Sequence, residues 1–564
     1  MSRRRLLPLL PALTMLALLG PVVAGLWGTV LPAFGHLPAA GLTGPSLDPF
    51  RDLFGWAGLP RAVMLSVGTG VLATVMSLAI VMLVTAGWSG TRVFGVLERL
   101  LSPLLAVPHA AAAFGLAFLI APSGWLARLA SPGLTGWDRP PDLLIVQDSW
   151  GLAMTAGLIV KEVPFLLLIT LAALGQADAQ RSVRVAQALG YGRLTGWLKT
   201  VFPRVYAQIR PPVYVVLAYA MSVVDVAVIL GPNTPPSLSV QIVKLMAHPD
   251  LSYRLEAAAG AVLQLLLVIG ALLVWRLGEG AVAALGRRWI TAGARGKADP
   301  AVAGLALVAG AASALAVFLG LVVLGVWSVA GFWGFPDALP DRITMANWLR
   351  FGPGTLQALG ETALIAVVAA LVALVLTIGC LEAEYRHKLR VSQRAVWVLY
   401  IPLLVPQTAF LPGLQTLMLT LGADVGRVPV MLVHLVFVLP YVFLSLADPF
   451  RAWDARMGVI AAALRASPDR ILWRVRLPML LRPVLTAFAV GLAVSVGQYL
   501  ATLLIGGGRV ATLTTEAVAL ASGGDRRAIG VYGLMQTGAA LVPFALALLI
   551  PALVWRNRKG LRHG

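Results

Sequence analysis

Twelve long apolar runs are the feature that most limits what this chain can fold into. Each run holds about 20 residues, the length that a helix needs to cross roughly 30 Å of hydrocarbon. Because 59% of the 564 residues are hydrophobic and only 12% are charged, a water-soluble fold could not bury the apolar surface. The runs centre on residues 7–26, 62–86, 101–121, 151–174, 212–231, 257–276, 301–326, 359–381, 396–418, 428–447, 485–505 and 531–555. We therefore predict an all-α polytopic membrane protein with twelve transmembrane helices.

The lysines and arginines predict how the chain crosses the bilayer. If the N-terminus is cytoplasmic, the inside segments hold 31 of the 44 basic residues and the outside segments hold 12. Positive charge collects on the cytoplasmic side, so we expect a multi-pass membrane protein with both termini in the cytoplasm. The net charge of +20 lies in short loops between apolar runs, which favours the lipid bilayer as a partner and argues against nucleic acid.

The chain reads as two six-span units, and an even number of spans makes two such units parallel in the membrane. The string P-L-L-A-V-P at 103–108 resembles P-L-L-V-P at 402–406, and S-V-V-D at 222–225 resembles S-V-G-Q at 495–498. The expected divisions are 1–57 for a first span and outside segment, 58–280 for the first unit, 281–354 for a basic linker with the seventh span, 355–555 for the second unit and 556–564 for a basic tail.

A more specific repeat occupies the loops after the fourth and tenth runs. The first copy, 184–190, reads R-V-A-Q-A-L-G and is followed by Pro203. The second copy, 459–465, reads V-I-A-A-A-L-R and is followed by Pro478. In both copies the proline lies thirteen residues after the last position of the string.

Both loops are predicted to form helix–turn–helix elbows. In the first, helices over 181–189 and 193–201 flank a glycine turn, and Pro203 stops the second helix. In the second, Ser467 is expected to cap a helix that begins at Pro468. The rows of small residues would let another protein approach closely, which favours a docking site. The alternative is a pair of surface helices whose arginines only fix the topology.

The repeat resembles the coupling-helix motif of permease subunits in binding-protein-dependent ABC importers, written E-A-A-x-x-x-G with nine residues before I-x-L-P. Two fused units of this kind resemble the iron(III) and thiamine importer group, and the stretches 230–236 and 512–518 look most like its thiamine-type branch. The resemblance implies that an ATPase docks on Arg184, Ala186, Leu189, Gly190, Pro203, Ala461, Ala462, Leu464, Arg465 and Pro478.

The same resemblance implies the fold of a type I ABC importer permease, a transport role and two kinds of partner. Cytoplasmic ATPase subunits, expected in two copies, would carry ATP and Mg, and a periplasmic binding protein would deliver the solute. No cofactor is expected in this chain, since its nearest string to a phosphate loop, 293–298, lacks the first glycine and the hydroxyl residue.

This chain departs from the motif at three places. Arg184 and Val459 stand where the motif has glutamate, and Arg465 replaces the second glycine. If Arg465 adopts a left-handed conformation, the cost is roughly 1 kcal/mol relative to glycine. Otherwise the second elbow turns later, at Ser467.

Ionisable residues within spans are costly and usually face a cavity. We assign two carboxylates within spans, Asp225 and Glu162, to a solute path, together with two polar residues, Gln498 and Tyr499. Carboxylates on such a path suit a cation, for example a thiamine-like solute. The alternatives are that Lys161 and Glu162 neutralise other helices and that Asp225 pairs with Ser222.

A different function class, an ion-coupled secondary transporter, shares the count of six plus six spans. Such transporters usually carry a Gly-Asp-Arg type motif between spans two and three, and the loop at 87–95 has no such acid–base pair. Six scattered histidines and the single cysteine, Cys380, predict no metal site.

Overall fold

A computed structural model describes residues 7–296, 299–388, 393–423, 425–521 and 523–556. The predicted linker at 281–354 and the basic tail at 556–564 fall partly outside these ranges. The helices of the first half are α1 Leu9–Ala33, α2 Asp48–Gly55, α3 Leu59–Trp88, α4 Arg92–Leu104, α5 His109–Ile120, α6 Trp125–Ala130, α7 Leu152–Gln176, α8 Ala179–Ala188, α9 Arg193–Thr200, α10 Phe202–Ser222, α11 Asp225–Leu230, α12 Leu238–Met246 and α13 Tyr253–Thr291. Those of the second half are α14 Asp299–Val329, α15 Ala346–His387, α16 Gln393–Leu404, α17 Gln407–Thr420, α18 Arg427–Arg451, α19 Ala455–Ala463, α20 Pro468–Ile471, a π-helical turn Leu472–Arg476, α21 Leu477–Met479, α22 Leu481–Val496, α23 Leu500–Gly506, α24 Leu513–Ala521 and α25 Arg526–Val554.

Nine helices of the described residues have the length and apolar composition of a membrane span, and two bent helix pairs raise that number to 11. Trp397–Leu404 and Gln407–Thr420 meet at 80°, and Pro468–Met479 and Leu481–Val496 meet at 78°. The remaining predicted run, 212–231, is divided between α10 and α11. The prediction of an all-α polytopic membrane protein is confirmed.

Four of the predicted runs are broken helices, and the breaks fall at matched places in the two halves. α4 and α5 separate before Pro108, and α16 and α17 separate before Pro406. A proline has no amide hydrogen and keeps the residue before it out of the helical conformation, so the helix ends there. Likewise α10 and α11 separate at 223–224, and α22 and α23 at 497–499. Broken spans are tolerated where they line a cavity.

Equivalent hydrogen bonds recur in the two units. The Ser66 hydroxyl of α3 accepts a hydrogen bond from the Leu238 amide at 3.1 Å, where α12 begins. The Thr362 hydroxyl of α15 accepts one from the Leu513 amide at 2.9 Å, where α24 begins. These matched bonds place the same helices side by side in both halves, as a pair of parallel repeats requires.

The first helix of each half packs against the other half. α1 lies on α17, where a methyl group added to Gly28 would overlap the Gly413 carbonyl and where the Thr29 hydroxyl donates to the Ala409 carbonyl at 2.8 Å. α14 lies on α5 in the same way, because a Cβ added to Gly115 would come within 2.8 Å of the backbone of Gly320. Contacts between glycines let the two backbones approach closely. The sequence analysis did not predict this exchange of helices.

Candidate functional site: two elbows and the cavity between the halves

The elbows are the segments 179–203 and 455–479, and both are built on the same turn. Gly190 has φ +81°, and the amide that follows it donates to the Ala186 carbonyl at 3.1 Å. Arg465 has φ +60°, and the amide that follows it donates to the Ala461 carbonyl at 3.0 Å. Both are the hydrogen bonds of a Schellman turn. Of the two alternatives for Arg465, the left-handed conformation is the one observed, at a cost of about 1 kcal/mol.

The helices that flank these turns lie close to their predicted positions, with one correction. α9 covers Arg193–Thr200, and the Ser467 hydroxyl caps α20 by accepting a hydrogen bond from the Arg470 amide at 3.3 Å. Contrary to the prediction, Pro203 does not stop α9 and is instead the second residue of α10. Pro478 is likewise the second residue of α21. A proline in the first turn of a helix loses no hydrogen bond, because the amides there have no partner within the helix.

Most of the residues predicted to dock a partner are on the outer surface of the elbows. Leu189 is 62% exposed and Leu464 is 78% exposed. The other exposed members are Arg184, Gly190, Pro203, Ala462 and Arg465, whereas Ala461 and Pro478 are partly buried. Ala186 is buried against Gly196 and therefore packs the elbow itself. Large apolar side chains exposed outside the spans are typical of a binding surface.

The first elbow is held by residues 289–296 and by Asp299, which lie where the two halves meet along the chain and which we call the joining segment. The Asp299 carboxylate accepts hydrogen bonds from the Thr195 amide at 2.9 Å and from the Thr195 hydroxyl at 2.7 Å. The Gly192 amide donates to the Arg295 carbonyl at 2.9 Å. Lys199 adds hydrogen bonds to two further carbonyls of this segment, at 3.0 and 2.8 Å. The joining segment therefore fixes the position of α9.

The second elbow is held by a buried arginine of its own half. Arg476 is 1% exposed and donates to the Glu382 carboxylate of α15 at 2.6 Å. Its guanidinium carbon lies 3.7 Å from the ring centre of Tyr385 and 4.2 Å from that of Trp453. Arg386 extends the pair, since it contacts the other Glu382 oxygen at 2.6 Å and Asp469 of α20 at 2.8 Å. Buried charges require such partners.

The sequence analysis missed Arg476. Its counterpart in the first copy, two residues before the proline, is Val201. A basic residue at an otherwise apolar position of one repeat is a signal that could have identified it.

A cavity of about 270 Å³ lies between the halves and is lined by all four residues assigned to the solute path, Asp225, Gln498, Glu162 and Tyr499. All four broken spans contribute to its wall, as do the matched prolines Pro108 and Pro406. Phe165 and Tyr441, each next to a proline of α7 or α18, also line it. The repeat marks in the sequence thus converge on one cavity.

Polar side chains that the sequence analysis missed also line this cavity. His109 lies 3.7 Å from the Glu162 carboxylate and 4.9 Å, between ring centres, from Tyr219. In the other half, the side-chain amide of Gln407 donates to the side-chain oxygen of Gln498 at 3.3 Å. His109 and Gln407 follow the matched prolines directly, so the proline repeat was the available signal.

The structure gives the partners of the buried ionisable residues. The Ser222 hydroxyl donates to the Ala218 carbonyl at 2.8 Å and does not pair with Asp225. Lys161 donates to backbone carbonyls of the first broken span, at 2.5 Å for Val107, and leaves Glu162 to face His109. Among the described residues, no group of three or more His, Cys, Asp or Glu side chains could hold a metal ion.

Comparison with known proteins identifies the family. A family model described as binding-protein-dependent transport system inner membrane component matches residues 375–555, which include the second elbow. The inner membrane ABC transporter permease protein YnjC of Escherichia coli is 33% identical over 553 residues, which are 97% of this chain and 98% of that protein. The chain belongs to the binding-protein-dependent ABC transporter permeases.

Parts of this permease are also similar to other members of the family. The spermidine/putrescine transport system permease protein PotC of Haemophilus influenzae is 28% identical over 164 residues, 28% of this chain and 64% of that protein. The molybdenum transport system permease protein ModB of Mycobacterium tuberculosis is 41% identical over 71 residues, 13% of this chain and 27% of that protein. The relatives therefore differ in the solute that their names give.

Proposed function

We propose that this permease is the membrane-spanning subunit of an ATP-driven importer that carries a small organic cation. The observation that carries the proposal is a direct helical connection from each elbow to the cavity. α10 follows the first elbow at Phe202 and ends at Ser222, three residues before Asp225. α22 follows the second elbow as Leu481–Val496 and ends two residues before Gln498. A displacement of either elbow would therefore move the cavity wall.

The elbows are the proposed docking sites of two cytoplasmic ATPase subunits, which would hold the ATP and Mg. A periplasmic binding protein would deliver the solute on the opposite side of the membrane. Membership of a binding-protein-dependent family supports both kinds of partner. The excess of basic residues on the elbow side supports an inner-membrane location with elbows and termini in the cytoplasm.

The chemistry of the cavity supports a cationic solute. Asp225 and Glu162 supply two carboxylates, and three tyrosines, Tyr219, Tyr441 and Tyr499, supply aromatic faces. Lys161, the lysine in the wall, is engaged by carbonyl groups. The spermidine/putrescine permeases among the relatives agree with this assignment. The thiamine-type branch stays a prediction, since none of the relatives described above is named for thiamine.

Reconstitution tests the proposal. The permease, an ATPase subunit that co-purifies with it and a candidate binding protein would be placed in liposomes with putrescine, spermidine or thiamine, and molybdate would serve as the anionic control. We expect uptake of a cation only with ATP and the ATPase, and a loss of about tenfold in Asp225→Asn, with assembly unchanged. Uptake by the permease alone, driven by an ion gradient, would establish the secondary transporter instead.

A further inference from the structure

The two spans broken at Pro108 and Pro406 end in backbone carbonyls that cannot be satisfied by the helix. The last four carbonyls of a helix have no amide partner within it. The proline that follows supplies no amide hydrogen either. In the interior of a membrane protein such carbonyls need a donor from elsewhere. The two halves differ in how they meet this need.

In the first half, the amides of Ala106 and Val107 bond the carbonyls of Pro103 and Leu104 at 3.2 and 3.3 Å, and a lysine supplies the remaining donor group. The Lys161 ammonium donates to the carbonyls of Leu104 at 3.1 Å, Leu105 at 3.4 Å and Val107 at 2.5 Å. Lys161 is 3% exposed and reaches these groups from α7. We call residues 103–108 the lysine-capped turn. The carbonyls at the end of this broken span therefore bind a primary ammonium group.

In the second half, the matching segment 402–406 has no such cap. Within the described part of the chain, no amide or side chain donates to the carbonyls of Pro402, Leu403, Leu404 or Val405. Phe437, three residues before Pro440, stands where Lys161 stands before Pro164. We call residues 402–406 the uncapped turn.

The uncapped turn is accessible from the cavity. Pro402, Leu403, Val405 and Pro406 all line it, and so does Phe437. The C-terminal end of α16 carries the negative end of the helix dipole, and unwound carbonyls at such ends coordinate cations in transporters with broken helices. We propose that the uncapped turn binds a primary ammonium group of the transported solute, in the place that the Lys161 ammonium takes in the first half.

This inference rests on the proposed function and narrows the solute to a cation that carries N–H donors. Carbonyl oxygens accept hydrogen bonds from an ammonium group, whereas a quaternary nitrogen has none to donate. Asp225 and Glu162 belong to the first half and line the same cavity. They remain available to a second cationic or polar group of the solute, as a diamine would present.

A comparison of two probes tests the proposal on the unaltered chain. The full permease in lipid nanodiscs would be titrated with n-butylammonium and n-butyltrimethylammonium, which have the same charge but differ in N–H donors. We expect n-butylammonium to bind at least about tenfold more tightly, the effect of a hydrogen bond to a charged group. Equal or tighter binding of the quaternary probe would overturn the assignment.

A substitution tests the place. Phe437→Lys should put an ammonium group on the uncapped turn and weaken n-butylammonium binding at least about tenfold. Phe437→Met, the uncharged control of similar length, should stay within about threefold of the unaltered chain. A Phe437→Lys protein with an unchanged thermal unfolding midpoint and unchanged binding would contradict the proposal. If that variant does not fold, the two probes are compared on Asp225→Asn instead. A preference for n-butylammonium that persists supports the uncapped turn, and a preference that disappears would assign the ammonium group to the carboxylate and overturn the proposal.

The ammonium subsite and the proposed importer function can fail independently of each other. ATPase assembly and cation uptake that persist while the quaternary probe binds better would refute the ammonium subsite alone. Uptake that needs no ATPase would refute the importer, whatever the order of the probes.

Discussion

The two elbows have the same backbone turn but different supports. The first has glycine at the left-handed position and is tied to the segment that joins the halves, through Asp299 and the Arg295 carbonyl. The second has arginine at that position and is tied to α15 of its own half through the buried Arg476. The repeat therefore preserves the backbone turn, while the residues that hold each elbow have diverged.

The difference predicts that the elbows depend on different parts of the molecule. The first elbow should respond to changes in the joining segment, and the second to changes at the end of α15. The substitutions Arg476→Met and Asp299→Ala below each alter one support and use the other elbow as the control.

The largest effect is expected for Arg476→Met. The substitution leaves the buried Glu382 with only Arg386 as a partner, and loss of one member of a buried ion pair costs about 3 kcal/mol. We expect a clearly lower thermal unfolding midpoint of the purified permease. Val201→Met, at the matching place of the first elbow, should have a much smaller effect.

Pairing Arg476→Met with Glu382→Gln should recover part of the loss, because no carboxylate is then left buried without its arginine. If Arg476→Met alone melts at the same temperature as the unaltered permease, the ion pair does not support the second elbow.

A smaller effect is expected for Asp299→Ala. It removes the two hydrogen bonds at the start of α9, a loss comparable to that of a helix cap, about 1–2 kcal/mol. Amide hydrogen exchange should become faster across 193–200 and stay unchanged across 468–476. Faster exchange in both elbows, or in neither, would show that the joining segment does not support the first elbow specifically.

The smallest effect concerns the turns themselves. Arg465→Gly relieves a left-handed arginine and should stabilise the permease by about 0.5–1 kcal/mol, whereas Gly190→Ala should destabilise it by about 1 kcal/mol. Unfolding midpoints of the two variants should therefore move in opposite directions. Shifts of the same sign would mean that the two turns are not equivalent.

Sequence spacing predicted what depends on neighbours along the chain. It predicted the elbow helices, the left-handed option at Arg465 and the matched prolines, and the four path residues proved to line one cavity. It did not predict contacts between distant segments. Each of these contacts joins residues about a hundred or more positions apart, and no local pattern specifies such partners. They are the packing of α1 and α14 against the opposite halves, the Arg476–Glu382 ion pair and the hydrogen bonds from Thr195 to Asp299.

Docking of an ATPase on both elbows is the central claim, and co-purification tests it most directly. A permease with Leu189→Glu and Leu464→Glu would be compared with the unaltered chain for capture of the ATPase subunit that co-purifies with the unaltered chain. The two leucines occupy matched positions of the elbows and are 62% and 78% exposed, so the fold should tolerate both changes. We predict a folded permease that no longer retains the ATPase. A double variant that retains it at the unaltered level would contradict the account.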